Sequence, residues 1–169
     1  ERIAKYLKPL NISAIYSSPI ERAKHTAEIV AKHNSLNYEL DSRLTELDMG
    51  KFTCKPYEEI FAKYGNIFLK YYENDPAITE HEIETFPQVK KRIIDMVKYV
   101  VKKHKNENVL LVTHMDPIKI MLSEIMYLTP QALFELIITN CSLTIIKENN
   151  MKFFLSAINV MDTDRYNQN

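Results

Sequence analysis

The sequence predicts an α/β sandwich: three layers, with a mostly parallel sheet between helices. Three observations predict it. "NVLLVTH" (108–114) is an unbroken apolar run, as expected of a strand covered on both faces. "SAIYSSP" (13–19) is a second short apolar run that also ends in a polar turn and a proline. Between them lie amphipathic stretches with helical spacing, and strands alternating with helices indicate parallel pairing through crossovers.

The elements follow in order. "ERIAKYLK" (1–8) reads as the last turns of a helix, with Ile3, Ala4 and Leu7 on one face and Pro9 as its stop. "SAIYSS" is the first strand. Ser18 is then the expected N-cap and Pro19 the first helical residue. The helix runs through "IERAKHTAEIVAKHN", with Ile20, Ala23, Ala27, Ile29 and Val30 inward. "YELDSRLTELDMGKF" (38–52) starts as a strand and becomes a charged loop. "KPYEEIFAKYG" is a helix closed by Gly65, and "NIFLKYYEND" is another that ends before Pro76. Residues 77–85 read as polar loop. A long helix is predicted from about Phe86 to His104, with Val89, Ile93, Met96, Val97 and Val100 inward. After strand 108–114, "DPIKIMLSEIMYL" is a helix with Asp116 as N-cap and Pro117 at its first position. "TPQALFELI" is a short helix. "CSLTIIKENNMKFFLSAIN" reads as a hairpin around "ENN", placed at one edge of the sheet. "TDRYNQN" reads as a frayed tail. One domain spanning 1–169 is expected.

Composition excludes several function classes. Of the 169 residues, 22 are Lys or Arg and 22 are Asp or Glu, a formal net charge of zero. Nucleic acid and membrane surfaces are therefore not expected partners. No apolar run approaches the roughly 20 residues that span a bilayer. The 2 cysteines, Cys54 and Cys141, form no disulfide framework or metal signature, and a reducing cytoplasm is the expected setting. They read as core or rim filler. The 2 glycines, Gly50 and Gly65, are too few for a glycine-rich phosphate loop.

In open α/β sheets, ligands lie beyond the carboxyl ends of the strands. His114 sits at such an end, and the next helix aims its free N–H groups at the same crevice, where an anion is favoured. "SSP" repeats the arrangement. Arg22, in the first turn of its helix, is placed to reach back with a guanidinium fork suited to phosphate. The loop "RLTEL" adds the carboxylate of Glu46. Each residue alone has a plainer reading: a hydrogen-bonded histidine, a surface arginine, a solvated glutamate. His25, His33, His81 and His104 fall on polar faces or in loops and carry no assignment. Tyr71 and Tyr72 read as packing.

Taken together, four segments resemble the histidine phosphatase superfamily, the phosphoglycerate-mutase-like fold. "IYSSPIERAKHTAEIVA" is similar to its Ser-Ser-Pro…Arg-Ala…Thr-Ala segment, and "DSRLTELDMGKFTCKPYEEI" to its "RLxExxxGxxxGxxxxE" stretch. "NVLLVTHMDPIKIML" resembles "VLxVxHGxxIRxLL", and "NCSLTIIKENN" resembles "NCSxxxL". The resemblance implies hydrolysis of a small phosphomonoester through a phosphohistidine, without cofactor or metal. Arg22, with Ser18 and Met115, would bind the phosphate. His114 would stabilise charge beside the nucleophile, and Glu46 would protonate the leaving oxygen and then help activate water. Phosphoglycerate mutase and a non-catalytic phosphate-binding or regulatory module are the alternatives, and a homodimer is an open alternative to a monomer. The resemblance departs at two places. No Arg-His-Gly, the family's nucleophile motif, occurs in the sequence. The first strand that bears it, expected between "SAIYSS" and "NVLLVTH", is expected to be missing together with part of the first helix, leaving the 169 residues inactive alone. Met115-Asp116 stands where the family has a glycine after the histidine, placing a side chain and a negative charge near the phosphate.

Overall fold

A computed structural model describes residues 2–161 of the chain. Helix α1 (Arg2–Leu7) runs into a 3-10 turn, Lys8–Leu10, and strand β1 (Ile12–Ser17) follows. Helix α2 (Glu21–Asn34) crosses to strand β2 (Tyr38–Leu40). Short helices α3 (Tyr57–Tyr64) and α4 (Ile67–Tyr72) lead to the long helix α5 (Phe86–Lys103). Strand β3 (Asn108–Val112), helices α6 (Met115–Met126) and α7 (Pro130–Glu135), and strands β4 (Leu143–Asn149) and β5 (Lys152–Val160) complete the order. The segment read as polar loop contains a 3-10 helix, Pro76–His81, which buries Ile78. The tail 163–169 lies outside the described residues. Among the described residues, no helix is long and apolar enough to cross a membrane.

The strands form a parallel sheet in the order β2-β1-β3. Its two faces follow from the period-2 alternation of side chains. Ile15, Leu110 and Val112 point to a cluster with Ala4 and Leu7 of α1 and Ala27, Val30 and Ala31 of α2. Ala14, Tyr16, Val109 and Leu111 point to a larger cluster that includes Val89, Ile93 and Met96 of α5 and Ile120 and Met121 of α6. The sandwich predicted from the sequence is thus present, with α1 and α2 on one side and α5 and α6 on the other.

Two expectations about the sheet are corrected. β1 and β3 pair directly, with Ile15 opposite Leu110 and Ser17 opposite Val112, so no strand lies between "SAIYSS" and "NVLLVTH". The hairpin forms a separate antiparallel pair and is not hydrogen-bonded to the parallel sheet among the described residues. Register shifts interrupt its ladder near Leu143 and Ile145 and re-aim the β4 backbone. Leu143 still packs its side chain on the cluster that takes Leu110 and Val112. The outer edge of β3 therefore has no ladder partner among the described residues.

The loop after Glu46 is pinned by the end of the 3-10 helix Pro76–His81. Gly50 has φ +50°, and a Cβ built on it would lie 2.4 Å from the backbone oxygens of His81 and Glu82. An L residue there faces both backbone strain and a clash with groups that cannot swing away. Gly50→Ala is expected to lower stability by about 3 kcal/mol, read as a smaller urea midpoint at unchanged m-value. A change within 0.5 kcal/mol, the usual span of neutral surface substitutions, would show that the two loops are not tightly docked.

Candidate active site

The register of β1 against β3 builds the site. Because Ser17 pairs with Val112, the residues that follow emerge side by side, and the Ser18 N–H donates to the Val112 carbonyl at 2.9 Å. One step further, His114 Nε2 lies 2.9 Å from Ser18 Oγ, with Ser18 fully buried and His114 nearly so. Ser18 Oγ also accepts the Ile20 N–H at 3.1 Å. The expected helix starts move accordingly. Ile20, not Ser18, is the N-cap of α2, and His114, not Asp116, is the N-cap of α6. The reason is physical in both cases. The Ser18 hydroxyl serves the turn and the histidine, and the Asp116 side chain turns inward rather than back on its own helix.

Burial, then the charges of Arg22 and Arg92, hold His114 down to a pKa of about 4. At neutral pH its ring is uncharged, with one nitrogen free to accept. Arg22 is exposed in the first turn of α2, and no carboxylate among the described residues pairs with it. Its charge reaches His114, and it lines a cavity of about 560 Å³ together with Glu46. Arg22 and Glu46 thus share one cavity, and Ser18 and His114 meet at the strand ends within reach of the Arg22 charge.

Glu46 stands at the N-terminus of α6. Its Oε1 accepts the Leu47 N–H at 3.0 Å and the Asp116 N–H at 3.2 Å. The Met115 N–H also bears on this carboxyl. The amides expected to meet phosphate are thus turned on Glu46, and the Met115 side chain is exposed. Burial, reinforced by the negative charge of Asp116 and opposed by these amides, pushes Glu46 up to about 7. Near neutrality a large fraction of Glu46 carries its proton.

Residues to which the sequence reading gave no role in the site fix the Glu46 backbone and its neighbour Asp116. Arg92 of α5 donates Nη1 to the carbonyls of Arg43 at 2.9 Å and Thr45 at 2.7 Å. Its Nη2 donates to the Glu46 carbonyl at 3.1 Å, while Glu84 clamps the guanidinium at 2.7 and 2.8 Å. Thr113 Oγ1 adds a bond to the Leu44 carbonyl at 2.7 Å, tying the end of β3 to the same loop. Tyr72 donates its hydroxyl to Asp116 Oδ1 at 2.5 Å. Lys119, one turn along α6, is buried with its Nζ 5.2 Å from the Tyr72 ring centre. Burial pushes Asp116 up and Lys119 down, while their mutual attraction opposes both changes. Arg92 carried no assignment in the sequence; its position beside inward-facing Ile93 is the one signal that could have found it.

The remaining candidates lie elsewhere. His104 bonds to the Tyr16 hydroxyl at 2.9 Å and to Glu107 at 2.8 Å. His81 packs on Phe52 and Tyr64, and His25 and His33 are exposed on α2. Cys54 and Cys141 are exposed free thiols rather than core filler; Cys54 lines the Arg22 cavity. Among the described residues, no group of three or more His, Cys, Asp or Glu is arranged to hold a metal ion.

Comparison with known proteins places this geometry in context. The model of the histidine phosphatase superfamily (branch 1) matches residues 1–161. A 2,3-bisphosphoglycerate-dependent phosphoglycerate mutase of Thermoplasma acidophilum is 30% identical over 166 residues, covering 98% of this chain and 78% of that enzyme. Phosphoserine phosphatase 1 of Hydrogenobacter thermophilus is 29% identical over 119 residues, covering 70% of this chain and 56% of that enzyme. The structure of Bacillus stearothermophilus YhfR superposes with a TM-score of 0.81 at 27% identity, covering 94% of this chain and 79% of that one. The chain thus spans little more than half of the phosphatase and about four fifths of the other two.

Proposed function

The chain belongs to the histidine phosphatase superfamily, and we propose from this that it serves as a cytoplasmic, metal-independent phosphatase domain that hydrolyses a small phosphomonoester through a phosphohistidine. The observation that carries the reading is the meeting of Arg22 and Glu46 at one cavity, with the neutral ring of His114 within reach of the Arg22 charge. Arg22 holds the phosphoryl oxygens with its unpaired guanidinium. Ser18 orients His114, which supports the charge that spreads over those oxygens. Glu46, protonated near neutrality, gives its proton to the ester oxygen as the P–O bond breaks and a histidine nitrogen bonds to phosphorus. The Glu46 carboxylate then takes a proton from the water that attacks phosphorus. The P–N bond breaks, and inorganic phosphate and the free histidine are released.

The nucleophilic histidine of this scheme is not among the 5 in the sequence: four are engaged or surface-exposed away from the cavity, and His114 has the supporting place. We propose that it lies on a strand outside these residues, added along the open edge of β3 that ends beside His114. The coding sequence tests this directly. If the intact protein encodes no Arg-His-Gly, a non-catalytic phosphate-binding module replaces the enzyme. The similarity to a phosphoglycerate mutase over 98% of this chain favours mutase activity as the second reading. The deciding experiment gives the intact protein p-nitrophenyl phosphate with and without EDTA, and 3-phosphoglycerate with catalytic 2,3-bisphosphoglycerate. Hydrolysis that survives EDTA is expected. Loss of it in EDTA, or phosphoryl transfer in place of hydrolysis, overturns the phosphatase reading.

A further inference from the structure

The walls of the Arg22 cavity carry information about the alcohol half of the substrate. About 560 Å³ lies within the range of roughly 300–1,000 Å³ typical of pockets that enclose drug-sized molecules. That is far more than a phosphate group fills. Arg22, Glu46 and Asp48 give the cavity charged groups. Thr53, Cys54 and Lys55 add further polar groups, but the larger apolar share of the wall comes from buried Phe52 and Ile60 and from Phe68 and Tyr57, whose ring centres lie 5.7 Å apart. Tyr57 packs on both Phe61 and Phe68 yet stays 40% exposed while lining the cavity, so it offers aromatic surface to a ligand.

We infer that the substrate is a phosphomonoester of an aromatic or comparably bulky apolar alcohol, whose body lies against Phe52, Tyr57 and Phe68 while its phosphate meets Arg22. This rests on the phosphomonoesterase reading and adds the class of leaving group. A three-carbon phosphoacid would leave these rings wet. An apolar ring gains by leaving water and by offset or edge contact with the aromatic side chains. It also excludes water from the oxygen that Glu46 must protonate.

The test uses alkyl esters, so that differences in leaving-group chemistry do not decide the result. The intact protein is assayed for kcat/KM with 2-phenylethyl phosphate, ethyl phosphate, O-phosphoserine and 3-phosphoglycerate. The phenylethyl ester is expected to exceed each of the others by at least about tenfold, the gain typical of a few well-placed apolar contacts. Tyr57→Ala, at an exposed position, is expected to cut the phenylethyl value by about tenfold. The same variant should leave the ethyl ester and the inhibition constant of inorganic phosphate unchanged. Hydrolysis that favours phosphoserine or 3-phosphoglycerate, or a Tyr57→Ala loss shared equally by all four esters, overturns the inference and leaves the phosphatase reading intact. No hydrolysis of any ester removes both.

Discussion

Replacing His114 with alanine is expected to lower kcat of the intact protein toward p-nitrophenyl phosphate by about 10²–10³, the effect of removing one donor from charge that develops in a transition state. The size of the effect follows from how the ring is held. The β1–β3 register delivers it to Ser18, and burial with two nearby arginine charges keeps it neutral down to about pH 4. In the proposed scheme a phosphate dianion bound beside Arg22 and His114 reverses that balance: its charge favours the protonated ring, so proton uptake is expected to accompany binding. The ring then donates to the phosphoryl oxygens most strongly when their charge is greatest. The substitution should not unfold the chain, because Ser18 Oγ keeps the Ile20 N–H and the β1–β3 ladder is untouched. Circular dichroism and a melting curve check that. The His114 ring resonance gives an independent reading, with its titration midpoint rising from about 4 toward neutrality as phosphate is added. Turnover within threefold of the parent, or a midpoint indifferent to phosphate, would take His114 out of the chemistry.

The corners that hold His114 and Ser18 were legible in the sequence because both depend on local signals. An apolar run ends, a polar pair follows, and a proline starts a helix. Convergence of the corners needed only the rule that parallel strands put their carboxyl ends together. The places where the reading failed share a cause. Ser18 and Asp116 both look like caps from their own neighbours, yet their side chains bond to partners 96 and 44 residues away. Arg92 reaches carbonyls 46 to 49 residues upstream. No periodicity or spacing encodes such pairs. They exist only once α4 and α5 have packed beside α6, so Tyr72 read as packing and Arg92 drew no assignment. The sheet order failed for the opposite reason. Apolar runs state which segments are strands and carry almost nothing about which edge meets which, and the bulged β4 satisfies its side chains on the core without joining the ladder.

Glu46 supports the second large prediction, and here the pairs invisible to the sequence set the outcome. Glu46→Gln keeps the shape and removes the proton, and kcat/KM for an alkyl phosphate is expected to drop by about 10²–10⁴. With p-nitrophenyl phosphate the first step needs no proton donor. The variant should then release one equivalent of nitrophenolate in a burst and stall, because the missing carboxylate no longer activates water. The pH dependence follows from the same group. In the proposed scheme Glu46 serves first as the acid; because it is pushed up to about 7, kcat/KM of the parent protein should fall as pH rises through about 7. Much of that elevation comes from burial and the next part from Asp116, whose carboxylate is held by the Tyr72 hydroxyl and the Lys119 charge. Asp116→Asn removes the like charge while the backbone amide of residue 116 still serves Glu46 Oε1. Glu46 then ionises more readily, and the basic limb is expected to move to lower pH. Arg92, Glu84, Arg22 and Tyr71 are unchanged by the substitution, so the displacement reports on Asp116 alone. A limb that stays in place would show that Asp116 is neutral in the resting site and that burial alone holds the proton on Glu46. A limb that survives in Glu46→Gln would assign the acid to another group altogether.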